Sequence, residues 1–165
     1  VGLISGTQKG ISSTILYITI YVLMNVAAFA CILVFKRGKV YFEDIRDLGG
    51  LSKNHPIIAL CFCITLFSLA GIPPLAGFFA KFYVFKSIIE SQMYILAIIG
   101  LLTSVISAFY YLKIIKVMFF ENSDTPLVLD GNREIRFLIN LSLFVSVLFF
   151  ALFPIFDYMI LNIKI

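Results

Sequence analysis

The sequence predicts an all-α integral membrane protein with about four transmembrane helices, one of them discontinuous. Of its 165 residues, 61% are hydrophobic and 13% are charged, and the mean hydropathy is +1.05, whereas soluble domains are about 45 to 50% apolar. Long apolar segments are each able to cross a bilayer core of about 30 Å. One of these segments contains Pro73-Pro74, and proline interrupts a helix because it lacks a backbone donor.

The N-terminal third contains the first complete span. Residues 1–10 predict the end of a preceding helix and a turn. Residues 11–35 carry no charge and cover about 37 Å as a helix, enough for a tilted crossing. Residues 36–55 mix basic and acidic side chains around Gly49-Gly50, so they predict a basic aqueous loop.

Residues 56–90 predict one broken transmembrane helix. As a straight helix they would extend about 52 Å, too long for one span and too short for two spans with a turn. A single crossing also puts the basic loops 36–55 and 113–136 on the same side, as the positive-inside rule prefers.

The C-terminal half predicts two further spans. Residues 93–112 form the third span and residues 137–157 the fourth, with 113–136 as a loop and 158–165 as a tail. The third span has a face of small residues that permits close helix approach: Gly100, Ser104 and Ala108.

Lys81 is the main candidate for chemistry. An ammonium group near the bilayer centre costs about 2.5 to 3.5 kcal/mol, so it normally faces a bundle interior or a water-filled cavity. Ser91 marks a turn ten residues later, which puts Lys81 about 15 Å deep. A broken helix provides carbonyl dipoles and room for water, so the amine is able to load and release a proton. The broken-helix residues are Gly71, Pro73, Pro74 and Gly77.

Other polar residues lie at comparable depth and form a candidate hydrated axis: Asn25, Ser68, Ser104 and Ser107. Interhelical hydrogen bonding is the alternative for each of them. Lys86 and Glu90 are secondary charged candidates, because Lys86 lies only about 7 Å deep and can extend to the membrane surface or pair with Glu90.

Several functions are excluded by residue content. The three cysteines lie in apolar segments and His55 is the single histidine, which predicts no metal site, no cofactor and no redox centre in this chain. The net charge of +4 is explained by the loops that flank the spans, so nucleic acid is not an expected partner.

Four motifs then point to a family: YVLMNVAAFA at 21–30, DLGGLSKNHP at 47–56, SLAGIPPLAGFFAKFYVF at 68–85 and YYLKI at 110–114. They resemble the antiporter-like, proton-translocating subunits of NADH:ubiquinone oxidoreductase, respiratory complex I. Within that family the chain is similar to the C-terminal part of subunit 2, because subunit 4 carries glutamate at the position of Lys81 and subunit 5 continues into a long lateral helix.

The resemblance implies an inverted-repeat fold with discontinuous helices and charged residues along a hydrated mid-membrane axis. Lys81 matches the lysine of the second discontinuous helix. The implied function is coupling of electron transfer from NADH to ubiquinone to proton pumping, with NADH, FMN, iron–sulfur clusters and ubiquinone bound elsewhere in the complex. The alternatives are a subunit of a cation/proton antiporter or membrane hydrogenase, or a structural remnant without an active channel.

The family's other axis residues have no counterpart here, which predicts a split subunit whose N-terminal half is a separate chain. Further expected partners are neighbouring antiporter-like and small membrane subunits, and lipids. The sequence has 18 Phe and no Trp, a bias that would follow from an AT-rich gene. The expected location is the mitochondrial inner membrane, with the bacterial plasma membrane as the alternative.

Overall fold

The computed structural model describes residues 2–36, 44–122, 128–129, 137, 139–141 and 144. Its α-helices are α1 (Gln8–Leu33), α2 (Leu51–Asn54), α3 (Pro56–Ala70), α4 (Ala76–Glu90) and α5 (Tyr94–Phe120). Short 3-10 helices span Gly2–Ser5 and Ile45–Leu48. Two-residue strands β1 (Phe35–Lys36) and β2 (Val128–Leu129) pair antiparallel, with Phe35 opposite Leu129. The predicted all-α class is confirmed.

Two helices in the described part of the chain, α1 and α5, are long and apolar enough to cross a membrane. Helix α1 begins three residues before the predicted boundary, because the Thr7 side chain accepts a hydrogen bond from the Gly10 N–H at 3.1 Å and caps the first turn. Helix α5 continues to Phe120, beyond the predicted end at Leu112.

The extension of α5 corrects the first part of the predicted loop 113–136, because residues 113–120 are helical. Lys113 and Lys116 are both exposed, while Val117 and Met118 on the same helix are buried. The last turns therefore continue an apolar face, which packs against the Ile45–Leu48 helix and α2 and keeps the chain helical outside the predicted span. The predicted fourth span, 137–157, and the tail, 158–165, lie outside the described residues except for the helical positions 137, 139–141 and 144.

The predicted loop 36–55 contains ordered structure in its second half. Asp44 caps the 3-10 helix by accepting from the Arg46 N–H at 2.9 Å, and Asp47 reciprocates at the Asp44 N–H. Leu48 and Leu51 are buried in the core. This half of the segment is therefore a packed connection into α3.

Helix packing puts the core around α3. Helix α1 packs against α3 and α4, and α3 packs against α5, with Met24, Phe62 and Ala80 among the buried residues. The opposite face of α5 is exposed and consists of large apolar side chains: Ile95, Ile98, Leu102, Val105, Ile106 and Phe109. Such a surface suits lipid or a neighbouring membrane helix and not water.

Candidate functional site

The break between α3 and α4 begins at Gly71. Its φ of +86° is in the left-handed region that glycine adopts without strain. The Gly71 N–H donates to the Ser68 carbonyl at 3.0 Å, and the Ile72 N–H donates to the Phe67 carbonyl at 3.0 Å. This is a Schellman motif, which ends a helix and pairs two of its terminal carbonyls. Pro73 and Pro74, joined by a cis peptide bond, follow before α4 starts.

The two remaining terminal carbonyls of α3 accept hydrogen bonds from Lys81. The last four carbonyls of any helix lack partners within the helix. Here the Nζ atom of Lys81 lies 3.0 Å from the Leu69 oxygen and 3.1 Å from the Ala70 oxygen. A helix C-terminus carries a partial negative charge that stabilises a cation. Lys81 of α4 thus completes the C-terminus of α3.

Ser104 of α5 is the third partner of this ammonium group. The distance from Lys81 Nζ to Ser104 Oγ is 2.8 Å. An ammonium group has three donors, and the two carbonyls and this hydroxyl match them. The half-buried lysine therefore joins three helices at one point.

Ser68 and Gly77 hold the two halves of the broken helix together. The Ser68 side chain is fully buried, and its Oγ accepts from the Gly77 N–H at 3.1 Å, at the start of a helix that has no side-chain cap of its own. A Cβ atom at Gly77 would overlap the Ser68 carbonyl oxygen. Ser68, a predicted axis residue, acts here as a link across the break.

A cavity of about 410 Å³ lies between α1, α4 and α5, and Lys81 is in its wall. We call it the Lys81 cavity. Its lining combines apolar side chains such as Met24 and Phe85 with hydroxyl groups from two helices: Thr14, Tyr17, Tyr21, Thr103, Ser104, Ser107 and Tyr111. The predicted residues Ser104 and Ser107 are therefore brought together with Lys81.

The three tyrosines of the cavity were not among the sequence candidates. Tyr17 and Tyr21 stack with their ring centroids 5.8 Å apart, and Tyr111 lines the cavity from α5. A signal for the first two was present, because tyrosines four residues apart in an uncharged span share one face of a helix. Nothing comparable marks Tyr111, whose position depends on how α5 packs.

Three other candidates lie away from Lys81. The Asn25 side chain donates to the Tyr21 carbonyl of its own helix at 2.8 Å and lines a separate, largely apolar groove on α1. Glu90 forms its ion pair with Lys9 at 3.5 Å and not with Lys86 of its own helix, because the C-terminus of α4 meets the N-terminus of α1. Lys86 is exposed.

In the described part of the chain, no group of three or more His, Cys, Asp or Glu side chains is able to hold a metal ion. Cys31, Cys61 and Cys63 are free thiols and buried.

A helical membrane bundle with a broken helix, and a cation on the freed carbonyls, has the design of ion-transporting membrane proteins. The family model described as "NADH:quinone oxidoreductase/Mrp antiporter, TM" matches residues 1–107. The chain belongs to this family, as the motifs predicted.

Relatives in bacteria and a plant agree with this assignment. NADH-quinone oxidoreductase subunit N of Pelagibacter ubique is 54% identical over 153 residues, which are 93% of this chain and 32% of that protein. NADH-ubiquinone oxidoreductase chain 2 of Marchantia polymorpha is 44% identical over 155 residues, 93% of this chain and 31% of that protein. The chain thus spans about a third of the length of these curated relatives.

A solved structure has the same fold. A chain of respiratory complex I from Thermus thermophilus with bound aureothin superimposes with a TM-score of 0.75 at 27% identity. The match covers 92% of this chain and 34% of the other, so almost all of this chain corresponds to one part of a larger membrane subunit.

Proposed function

We propose that the chain is a proton-translocating membrane-arm component of NADH:quinone oxidoreductase, corresponding to part of subunit N or chain 2. One observation carries the proposal: the Lys81 ammonium is bound by the unpaired carbonyls of a broken helix and by Ser104, at the wall of a cavity lined with hydroxyl groups. This site combines a group that titrates with a space able to hold water.

The chemistry at Lys81 is proton loading and release. Partial burial disfavours the ammonium form, while the carbonyls of Leu69 and Ala70 favour it. A change in nearby charge therefore alters how strongly Lys81 holds its proton. Electron transfer elsewhere in the complex would provide that change.

Redox chemistry belongs to other subunits in this proposal. NADH, FMN, the iron–sulfur clusters and ubiquinone bind elsewhere, and this chain contributes to the enzyme as part of an assembly. The single histidine and three cysteines of the whole sequence support this division of labour, because haem, iron–sulfur and zinc sites are built from several such ligands.

The partners in this proposal are other membrane subunits of complex I, and lipids. A separate chain carrying the N-terminal half of the subunit stays a prediction, which mass spectrometry of the purified complex would test. Homologous subunits named in both bacteria and a plant support a bioenergetic membrane as the location. The compositional bias favours the mitochondrial inner membrane over the bacterial plasma membrane.

The test is substitution of Lys81 in the assembled complex. In Lys81→Met the side chain keeps its length and loses its charge, so proton transfer through this subunit should slow about 10²-fold or more. The number of protons moved per NADH oxidised would fall while the complex still assembles. The matched control is Lys116→Met, which removes an exposed lysine paired with Glu121 at 3.7 Å and should leave that number unchanged.

An unchanged proton-to-NADH ratio in assembled Lys81→Met complex would disprove the proposal and favour a structural remnant. The family description also includes antiporters. Purification of the chain with ion-exchange subunits, and without flavin and iron–sulfur proteins, would assign it to that class instead.

A further inference from the structure

We propose that Ser104 is the residue that exchanges protons with Lys81, which rests on the proposed function and makes it more specific. The starting point is a difference among the three acceptors of the ammonium group. Two of them are the backbone carbonyls of Leu69 and Ala70, which accept hydrogen bonds and have no proton to give. The third, Ser104 Oγ at 2.8 Å, both accepts and donates.

This set of partners satisfies both protonation states of Lys81. The ammonium form has three N–H donors, for the two carbonyls and the Ser104 oxygen. The neutral amine has two N–H donors and one lone pair, so it donates to the same two carbonyls and accepts from the Ser104 O–H. The change of state needs only a rotation of the hydroxyl hydrogen, and no buried group loses its partner.

The hydroxyl hydrogen of Ser104 is available for this exchange. The neighbouring hydroxyls on α5 donate to their own helix, Thr103 to the Gly100 carbonyl at 2.9 Å and Ser107 to the Thr103 carbonyl at 3.0 Å. Within the described residues, Ser104 has no such bond as a donor, because its oxygen faces Lys81. Because Ser104 lines the Lys81 cavity, its hydrogen is free to point into that cavity.

The transfer is a concerted relay. An N–H bond of the ammonium group breaks as that proton binds to the Ser104 oxygen. At the same time the original O–H bond of Ser104 breaks, and its proton passes to a water molecule or hydroxyl in the cavity. Lys81 ends neutral, Ser104 is again a neutral hydroxyl, and the acceptor gains one proton.

Two further hydroxyl residues of α5 lie beyond Ser104. Ser107 and Tyr111 lie three and seven residues further along α5, on the same face of the helix, and both line the Lys81 cavity. A proton released through Ser104 therefore enters the cavity beside these hydroxyls.

The test compares Ser104→Ala with Ser104→Thr in the assembled complex. Ser104→Ala keeps the helix and removes the hydroxyl, so the proton-to-NADH ratio should fall towards that of Lys81→Met, with proton transfer at this site slowed about 10²-fold. Ser104→Thr keeps the hydroxyl and should restore the wild-type ratio. Rescue by threonine distinguishes a relay from a packing role, because threonine adds a methyl group where alanine removes an oxygen.

Ser87→Ala is the control, since the Ser87 hydroxyl donates to the Val84 carbonyl of its own helix at 2.8 Å and should be dispensable. A wild-type ratio in Ser104→Ala, together with a reduced ratio in Lys81→Met, would overturn the role of Ser104 and leave the proposed function standing. A wild-type ratio in Lys81→Met would instead disprove the proposed function. The ratio is measured per NADH oxidised, so it does not depend on how much complex assembles.

Discussion

Helix α5 and the broken pair α3–α4 use polar groups in opposite ways. In α5 the backbone is continuous for 27 residues, and the hydroxyls of Thr103 and Ser107 bond to carbonyls of their own helix. Between α3 and α4 the backbone is interrupted, and the polar groups of Ser68 and Lys81 bond across the gap.

The difference shows what a helix break adds to a membrane protein. A continuous helix satisfies its own backbone, so the hydroxyls of Thr103 and Ser107 bond locally at little cost. Ser104 of the same helix instead bonds to Lys81 of the broken pair. A broken helix leaves donors and acceptors that only another element can satisfy. Those groups hold Lys81 in a defined position. The apolar side chains around it make its protonation sensitive to nearby charge. Three substitutions test the break, and a fourth tests an exposed ion pair away from it.

The largest effect is expected from Gly77→Ala. Its new Cβ would overlap the backbone carbonyl of Ser68. That carbonyl is unable to move without separating α3 from α4, so we expect the free energy of unfolding to fall by about 3 kcal/mol. Thermal dissociation of the purified complex measures it. Gly100→Ala in α5 is the control: its Cβ would approach the ring of Phe85 at 2.9 Å, and that side chain can rotate away. Equal losses from the two variants would contradict the role of the break.

A second variant, Gly71→Ala, tests the turn beside Lys81. Alanine is strained at the φ of +86° by about 1 to 2 kcal/mol, and its Cβ would lie 3.0 Å from Lys81 Cδ and 3.3 Å from Nζ. We expect both reduced thermal stability and a lower proton-to-NADH ratio.

Gly6→Ala has a similar conformation, with φ of +63° and no atom within 4 Å of the added Cβ. It should reproduce the strain without the effect on proton transfer. A Gly71→Ala complex with a normal ratio would show that the position of the lysine stem is unimportant.

The link between the two halves is tested by Ser68→Ala. The buried Gly77 N–H would lose its partner, at a cost of about 1.5 kcal/mol in the free energy of unfolding. The control is Thr65→Val on the same helix, where a buried hydroxyl bonds only to the Cys61 carbonyl at 2.9 Å. That carbonyl still accepts a hydrogen bond from the helix backbone when the hydroxyl is removed. Matching melting temperatures for the two variants would argue against a capping role for Ser68.

The smallest effect is expected from Lys9→Gln. The ion pair with Glu90 is exposed, with 72% of the Lys9 side chain and 44% of the Glu90 side chain accessible, so its loss should cost less than about 0.5 kcal/mol. The effect should vanish in concentrated salt. A double-mutant cycle with Glu90→Gln measures it, and a coupling above about 1 kcal/mol would show that this end of α4 is more constrained than its exposure indicates.

The sequence was sufficient for the membrane class, the family and the break, because apolar runs and a double proline are local signals. Counting residues from the turns also gave Lys81 and Ser104 similar depths. The sequence alone could not predict which carbonyls bind Lys81, because that depends on the left-handed turn at Gly71 and on the angle between α3 and α4. The Lys9 to Glu90 pair joins residues 81 positions apart and has no local signal at all.

The most direct measurement is an experimental density map of the assembled complex that resolves Lys81 and bound water. The account predicts Lys81 Nζ within hydrogen-bonding distance of the Leu69 and Ala70 carbonyls and of Ser104 Oγ, beside ordered water in the cavity. A lysine that extends into lipid or to the membrane surface, or a dry cavity, would contradict it.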